Sequence, residues 1–433
     1  MNSVQRHDRL QTAYAEYSLA QVRGYSARLV KLFDTCRPGG KMHFGTSHVL
    51  AACTAVLLQA TAAYAADRAP PTYSVVNLST PGSAPVGGQF GLLGAISPSG
   101  LIILNEVDGH IAASGTRYPS YGSLLRWVGK PPAGPAPRPG GHPFLAIAIN
   151  DRGEMAGSTY RVGKVLSERP AVVRDGSLRD FEPTGSSDFL STGQFNIGFL
   201  LSINRLGRAV GYANSSPPGN IPPIQLPLLH CPEIADVIRL PSPRGGRAFG
   251  SARHISDQGL VVGDYLIDES RFPVAWQVRG DCRQIADARV LSAAPGIAYS
   301  SNESGAVVGC GYHTIRSTTE KTLSVASLSR PLKWHDGAES LLSTLPNYDS
   351  SCAIYINSAG LIVGIAEKSF SPAMTIAIWD SEGRVWDLFE RSDAKQKGVT
   401  KFIRIHGLSE AGNILVSAMI AGQYSMLLLT SSN

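Results

Sequence analysis

The chain has 433 residues, 43% of them hydrophobic and only 17% charged, with 45 glycines and 28 prolines. That composition excludes a disordered chain, which would carry less apolar material, and its turn formers favour many short strands over long helices. The formal net charge of +6 is concentrated at one end: residues 1–65 hold seven Lys or Arg against three acids, leaving 32 bases and 30 acids beyond, so the basicity gives no support for nucleic-acid binding.

In chain order, the first element is an apolar stretch, Val49-Leu50-Ala51-Ala52-Cys53-Thr54-Ala55-Val56-Leu57-Leu58, ending at Ala63-Tyr64-Ala65. An apolar run before a small-x-small site is the pattern of a secretory signal. Thr54, Gln59 and Thr61 make it a poor transmembrane span, so no stable span is expected after cleavage. The simplest reading starts translation at Met42, with residues 1–41 an artefactual extension, residues 42–65 the signal and a mature terminus at Ala66. A real extension ahead of Met42 is the alternative. Export would place the protein in the periplasm or outside the cell.

From residue 66 onwards one phrase recurs. It reads Ile149-Asn150-Asp151-Arg152-Gly153-Glu154-Met155-Ala156-Gly157, and returns with Asn204 and Gly207, Ser256 and Gly259, Asn302 and Gly305, and Asn357 and Gly360. Weaker copies carry Ser97 with Gly100 and Ser409 with Gly412. Successive turn glycines lie 53, 54, 52, 46, 55 and 52 residues apart. Asn or Ser can accept a hydrogen bond from the backbone two residues on, and Gly at the fourth position closes a type I turn. The flanking runs are short, aliphatic and rich in Val and Ile, as in strands buried on both faces. Each phrase is therefore a β-hairpin, and a near-constant period of this size is the signature of a repeat architecture. In the first unit, Asp108-Gly109 is a competing turn, although Gly100 fits the spacing to Gly153 better.

A second, looser strand pair follows each hairpin. Pro273-Val274-Ala275-Trp276 leads to Gln284-Ile285, Leu332-Lys333-Trp334 to Ser340-Leu341-Leu342, and Ile376-Ala377-Ile378-Trp379 to Val385-Trp386-Asp387-Leu388. Trp127 opens the series. The Trp residues sit inside apolar runs and read as aromatic core. Four strands per unit is the content of one propeller blade. The expected fold is all-β: a seven-bladed β-propeller of four-stranded blades spanning residues 66–433. The last unit ends at Tyr424-Ser425-Met426-Leu427-Leu428-Leu429-Thr430 with only three strands. Tyr73-Ser74-Val75-Val76-Asn77-Leu78 supplies the missing one, closing the ring without a long free edge.

The hairpin Ile-Asn-x-x-Gly-x-Val-Val-Gly with its intervening Trp strand resembles the HAF family of extracellular repeat proteins, over residues 73–430. The resemblance implies a secreted bacterial protein of propeller-like build with no assigned enzymatic role. The sequence departs from the pattern at Leu104 and Val416, in place of the second Gly, and at Arg174 and His230, in place of Trp.

Export would leave Cys231, Cys282, Cys310 and Cys352, an even number in an oxidising compartment. Cys310 and Cys352 lie on one face of neighbouring blades and can pair. Cys231 and Cys282 occupy outer turns whose separation can exceed the roughly 7 Å reach of a disulfide. No spacing of Cys, His or acids points to zinc or calcium, and no motif marks a nucleophile, P-loop or dinucleotide site; no catalytic residue, cofactor or metal is expected. Asp257 reads as a solvated turn residue, and His230, His254, His335 and His406 as structural; His313 alone sits on a loop near Cys310 and Tyr312. The irregular segments 129–143, 214–227 and 312–330 are where a specific surface is expected.

Two functions follow. The first is a secreted, monomeric, non-catalytic scaffold binding an unknown protein, glycan or surface polymer. The alternative is a propeller hydrolase or lyase acting on a polysaccharide or other extracellular polymer. Three carboxylates, or a Tyr/His/Arg cluster, converging on the central funnel would favour the alternative.

Overall fold

A computed structural model describes residues 71–78, 93–106, 124–128, 144–161, 167–181, 195–215, 224–243, 249–319, 322–369, 371 and 373–432. The chain divides into Met1–Ala69, which lies outside the described residues together with the expected extension and signal, and Pro70–Asn433. The described residues of the second unit are all-β and have a propeller arrangement. No helix among them is long and apolar enough to cross a membrane.

The first strand, β1 (Thr72–Asn77), is followed by a sheet of β2 (Leu93–Ile96), β3 (Ile102–Glu106) and β4 (Leu124–Val128). The second sheet is β5 (Phe144–Ile149), β6 (Met155–Arg161), β7 (Ser167–Arg174) and β8 (Ser177–Asp180). The third is β9 (Phe195–Ile203), β10 (Ala209–Ser215), β11 (Ile224–His230) and β12 (Val237–Arg239). The fourth is β13 (Gly250–Ile255), β14 (Leu260–Ile267), β15 (Ser270–Arg279) and β16 (Gln284–Ile285), with β17 (Arg289–Val290) also pairing β15. The fifth is β18 (Gly296–Ser301), β19 (Val307–Thr319), β20 (Thr322–His335) and β21 (Ala338–Leu341). The sixth is β22 (Ser350–Ile356), β23 (Ile362–Glu367), β24 (Met374–Trp379) and β25 (Val385–Asp387). The last is β26 (Val399–Leu408), β27 (Ile414–Ile420) and β28 (Gln423–Ser432), completed by β1.

Seven four-stranded blades are expected from the sequence; among the described residues six sheets have at least four strands and the first has three. Residues 129–143, where its outer strand would fall, lie outside the described residues. β1 pairs antiparallel with β28 from Thr72↔Ser432 to Asn77↔Leu427, so the last sheet is built from both ends of the described chain.

The repeated turn has the same geometry in all seven units. The N–H of each turn glycine bonds to the carbonyl of the Asn or Ser three residues before it, for example Gly153 to Asn150 at 3.0 Å and Gly412 to Ser409 at 3.0 Å. Every one of these glycines has φ between +77° and +94°, the left-handed region that a Cβ disfavours. The second glycine of the phrase serves a different purpose. A Cβ on Gly157, Gly211, Gly263, Gly309 or Gly364 would lie 1.8–2.0 Å from a carbonyl oxygen of the inner strand. In each of those sheets the inner strand carries a β-bulge opposite this glycine, at Ile147, Leu201, Arg253, Tyr299 and Ile354. Where Leu104 replaces the glycine, β2 and β3 pair without a bulge.

Neighbouring sheets are bonded to each other as well as packed. Asn150 Nδ2 donates to the Asn204 carbonyl at 2.9 Å, Asn204 Nδ2 to Ser256 at 3.0 Å, Asn302 Nδ2 to Asn357 at 3.0 Å, and Asn357 Nδ2 to Ser409 at 3.3 Å. A second set of latches uses the acid that follows the turn residue. Asp151, Asp257, Glu303 and Glu410 accept from the backbone N–H groups of Ser99, Arg205, Asp257 and Ser358 in the preceding sheet, at 2.7–3.0 Å. Asp257 is therefore not a solvated turn residue: it holds Arg205 through the backbone and through its guanidinium, 3.3 Å away. The inner strands β2, β5, β9, β13, β18, β22 and β26 touch in succession, and β26 touches β2. At that last junction Glu410 N–H bonds to the Pro98 carbonyl at 2.8 Å, and Ile96, Ile102 and Leu104 pack with Leu415 and Met426.

Trp276, Trp334 and Trp379 are buried, and the indole N–H groups of Trp276 and Trp379 reach the Pro241 and Ser343 carbonyls at 2.7 Å. The side chain of Trp127 lies outside the described residues. At the two Trp-less positions, Arg174 pairs with Glu154 at 2.6 Å and His230 stacks on Phe181 at 4.5 Å. Both cysteine pairs form disulfides between adjacent sheets. Cys310 joins Cys352, and Cys231 joins Cys282 with α-carbons 6.5 Å apart. The outer turns of the third and fourth sheets therefore approach more closely than the sequence led us to expect.

Deleting residues 66–79 should unfold or aggregate the protein, because β28 loses its partner and each unmade buried hydrogen bond costs about 1–3 kcal/mol. Deleting residues 1–41 should leave the melting temperature of the propeller unchanged. Equal melting temperatures for the two truncations would show that β1 is dispensable.

Asn204→Ala removes both the turn acceptor and the bond to Ser256, and should cost about 2–4 kcal/mol by denaturant unfolding, being two buried hydrogen bonds or more. Asn204→Ser, the residue that sister units carry at this position, should recover part of the loss. A cost within experimental error of zero would mean that the relay contributes nothing.

Candidate functional site

The inner-strand bulges set the site. A bulge adds a residue that has no ladder partner and re-aims its side chain. At this position four sheets carry Ile147, Leu201, Tyr299 and Ile354, the last carries His406, and the fourth carries Arg253. Arg253 thus projects a charge from the innermost layer at a place where most units are apolar.

Its partner is Asp264 on β14, whose side chain is fully buried. Arg253 Nε lies 2.8 Å from Asp264 Oδ1, and Ser251 Oγ donates to the same oxygen at 2.5 Å. Arg271, at the start of β15, binds the other oxygen through Nη1. Two guanidinium groups therefore share one carboxylate, and each stacks on an aromatic ring. Arg253 lies 4.9 Å from the ring centre of Tyr299 in the next sheet, and Arg271 lies 5.0 Å from that of Phe249. Cation–π contacts of this kind strengthen when desolvated. Desolvation works against the charge of Arg253, but Asp264, Tyr299 and Tyr312 together outweigh it, and the pKa of the guanidinium is raised.

Two more tyrosines feel the same charges. Tyr312 on β19 has its pKa pushed up to about 12 by burial, with Tyr299 adding to the shift and Arg253 opposing it. Tyr212 on β10 in the preceding sheet is raised by burial, against Arg253 and with Glu168. Its ring lies 5.7 Å from that of Phe199. Both hydroxyls stay protonated at neutral pH. The cluster draws on three consecutive sheets, at the end opposite the Asn-x-x-Gly turns: Ser251, five residues before Ser256, pairs in register with Asp264.

None of these residues was singled out from the sequence. The legible signal was positional: Arg253 breaks an aliphatic register at the bulge, and Asp264 stands where sister units have Ser158, Cys310 or Ile365. The segment 312–330, expected to be an irregular loop, is instead the regular continuation of β19 and β20, paired out to Thr319↔Thr322. Tyr312 lies at its base, just beyond the last pairing of β18 at Gly296↔Gly311. Segment 129–143 lies outside the described residues, as do residues 216–223 within 214–227. His313 is exposed, on β19 opposite Leu328.

His230, His254 and His406 are structural and neutral. His254 Nδ1 accepts from the Ser301 backbone N–H at 3.2 Å, which requires a neutral ring, and desolvation lowers its pKa to about 4. His406 is lowered to about 3 by burial and by Arg404, and His230 to about 4 by burial and by Arg174 and Arg179. The one grouping of metal-type side chains among the described residues, Cys231, Glu233 and Cys282, has both thiols tied in a disulfide. A cavity of about 230 Å³ lies at the turn end between the fourth and fifth sheets, lined by Arg289, Val307, Trp334 and His335. Two of its polar groups are already engaged: Trp334 donates to Glu339 at 3.0 Å, and His335 Nε2 lies 3.3 Å from the Ser304 carbonyl.

In sequence, the chain matches no family model and no curated protein. In structure it is similar to a Penicillium chrysogenum alpha-L-arabinanase complexed with arabinobiose, at 8% identity and TM-score 0.36, over 65% of this chain and 90% of that one. It is similar also to Trypanosoma rangeli sialidase in complex with sialic acid, at 11% identity and TM-score 0.33, over 65% of this chain and 53% of the sialidase, about half its length. A third is an oligogalacturonate lyase in complex with manganese, at 9% identity and TM-score 0.38, over 84% of this chain and 97% of that one. Likeness at this level assigns neither substrate nor reaction to the present chain.

The neutral histidines make stability depend on pH with a definite sign. Their folded pKa values lie below the unfolded value near 6.5, so the unfolded chain binds more protons between about pH 4 and 6.5. Their contribution is fully present above pH 6.5 and is lost as pH falls towards 4 and below. The melting temperature should be flat from pH 7 to 8 and fall steadily below 6.5. His406→Gln should flatten that fall, and a profile identical to wild type would remove His406 from the account.

Proposed function

We propose that this protein is an exported, seven-bladed closed propeller that binds an anionic ligand, without turnover, at the axial end carrying Arg253. The observation behind this reading is that Arg253 and Arg271 share a single buried carboxylate, Asp264, which leaves one positive charge uncompensated beside several aromatic rings. Unlike exposed surface pairs, charges held in a partly desolvated site discriminate strongly by sign.

The closed ring is supported by β1 pairing with β28 and by the succession of inner strands returning from β26 to β2. Export agrees with the apolar stretch before Ala65 and with the two disulfides, which persist in oxidising compartments. The resemblance to the HAF extracellular repeats points the same way.

Convergence of Tyr and Arg near the axis also favours the second reading, a propeller hydrolase or lyase acting on an extracellular polymer. Against it stands the supply of catalytic groups. Glycoside hydrolysis ordinarily uses two carboxylates flanking the bond, and Asp264 is occupied by Ser251, Arg253 and Arg271. Tyr212 and Tyr312 hold their protons too firmly to act as bases at neutral pH.

Affinity electrophoresis through gels containing acidic or neutral polysaccharides separates the two readings when combined with a reducing-end and ultraviolet product assay. Retardation by an acidic polymer, abolished in Arg253→Gln/Arg271→Gln and without released product, is the expected result. Product release that depends on Arg253 would establish the enzyme instead, and retardation unaffected by the double variant would place the ligand elsewhere.

A further inference from the structure

We propose that the ligand of this site is an acidic sugar: a carboxylate held by Arg253 and Arg271, with its ring against the tyrosines of the adjoining sheets. This rests on the reading of the Arg253 end as an anion-binding site and specifies what it binds.

Charge is the first ground. Two guanidinium groups against Asp264 leave a surplus of one, which matches a monoanion. A phosphate monoester carries nearly two charges at neutral pH and exceeds the surplus of those three groups. Geometry is the second. A carboxylate is planar and presents two oxygens, and Asp264 already spans both arginines in that way, giving Oδ1 to Arg253 and Oδ2 to Arg271. Both side chains remain partly exposed, 24% accessible for Arg253 and 32% for Arg271.

The surroundings supply the third ground. Tyr212, Tyr299 and Tyr312 come from sheets on both sides of Arg253 and bring flat apolar faces with hydroxyl tips. Burial keeps the hydroxyls of Tyr212 and Tyr312 protonated, so they can donate to and accept from sugar hydroxyls without adding negative charge. A neutral sugar would leave the surplus charge unmatched, and an apolar acid would leave the phenolic hydroxyls without partners, a costly arrangement once water is displaced.

Isothermal titration of the purified chain with an alginate trisaccharide, its carboxyl-reduced neutral form, a sulfated trisaccharide and inorganic sulfate tests this. The uronate should bind, with affinity falling about 10- to 100-fold on carboxyl reduction, the range for loss of a charge-assisted hydrogen bond. Arg253→Gln should lose the uronate while Tyr299→Phe retains it. The comparison between uronate and reduced sugar uses the wild-type chain, so it stands even if Arg253→Gln fails to fold. Equal affinity for the acidic and reduced forms overturns the inference. Binding of sulfate or the sulfated sugar, but not the uronate, overturns it while leaving an anion site at Arg253. Failure of every anion to bind overturns both.

Discussion

At four junctions a blade is tied to the next by the side-chain amide of its own turn, and the rest of the structure builds on that bond. Asn204 shows the arrangement in full. Its Oδ1 accepts from the N–H groups of Leu206 and Arg208 and shapes the turn, while its Nδ2 donates to Ser256 in the following sheet. One residue type therefore satisfies a local turn and a non-local interface together. A hairpin alone is marginal in water, and a four-stranded sheet with two apolar faces has nowhere to bury them except against its neighbours. The relay fixes the rotation between neighbours, so the apolar faces meet in one register. Val308 and Ala306 of one sheet then pack on Ile362 and Trp379 of the next.

Where the relay changes chemistry, the linkage is kept by other means. Ser256 cannot reach across as Asn does, and there the neighbouring contacts are Asp257 N–H to Glu303 and His254 to Ser301. Serine in the last sheet is matched by Glu410, which accepts from Ser358 and whose N–H reaches Pro98 in the first sheet. The disulfides reinforce two junctions that keep the amide relay, between the third and fourth sheets and between the fifth and sixth. Constraint is thus spread around the axis, and the junction of the last sheet with the first relies on packing around Ile96 and Leu415 and on the close approach of Gly407 to Ile96.

Most of the scaffold was legible because turn chemistry is local. Asn at one position and Gly three later dictate a conformation whatever surrounds them, and the aliphatic runs on either side dictate burial. The pairing of β1 with β28 was legible for a related reason: one unit visibly lacked a strand. What could not be read depends on distances between units. Cys231 and Cys282 are 51 residues apart, and only the packing of outer turns brings their α-carbons within 6.5 Å. The β-bulge was hidden because a bulge is a relation between two strands, although the second glycine of five phrases was its trace; in the last sheet the bulge at His406 adjoins Val416 instead. Segment 312–330 looked irregular because Ser and Thr dominate it, yet threonine is β-branched and sits comfortably in a strand.

The same bulge explains why a site can sit in so regular a frame. A ladder residue must satisfy its partner and both faces of the sheet, so repeats tolerate little variation there. The bulged residue is released from the ladder and points where the backbone kink sends it, so its identity is free of the fold's demands. Ile147, Leu201 and Ile354 use that freedom for packing; Arg253 uses it to hold a charge among three sheets. Placing a guanidinium there requires a counter-charge, and Asp264 lies next to it because the residue in register with Ser251 faces the same space. If Asp264 served only to neutralise Arg253, one arginine would suffice. The second, Arg271, gives the three-membered cluster a net positive charge.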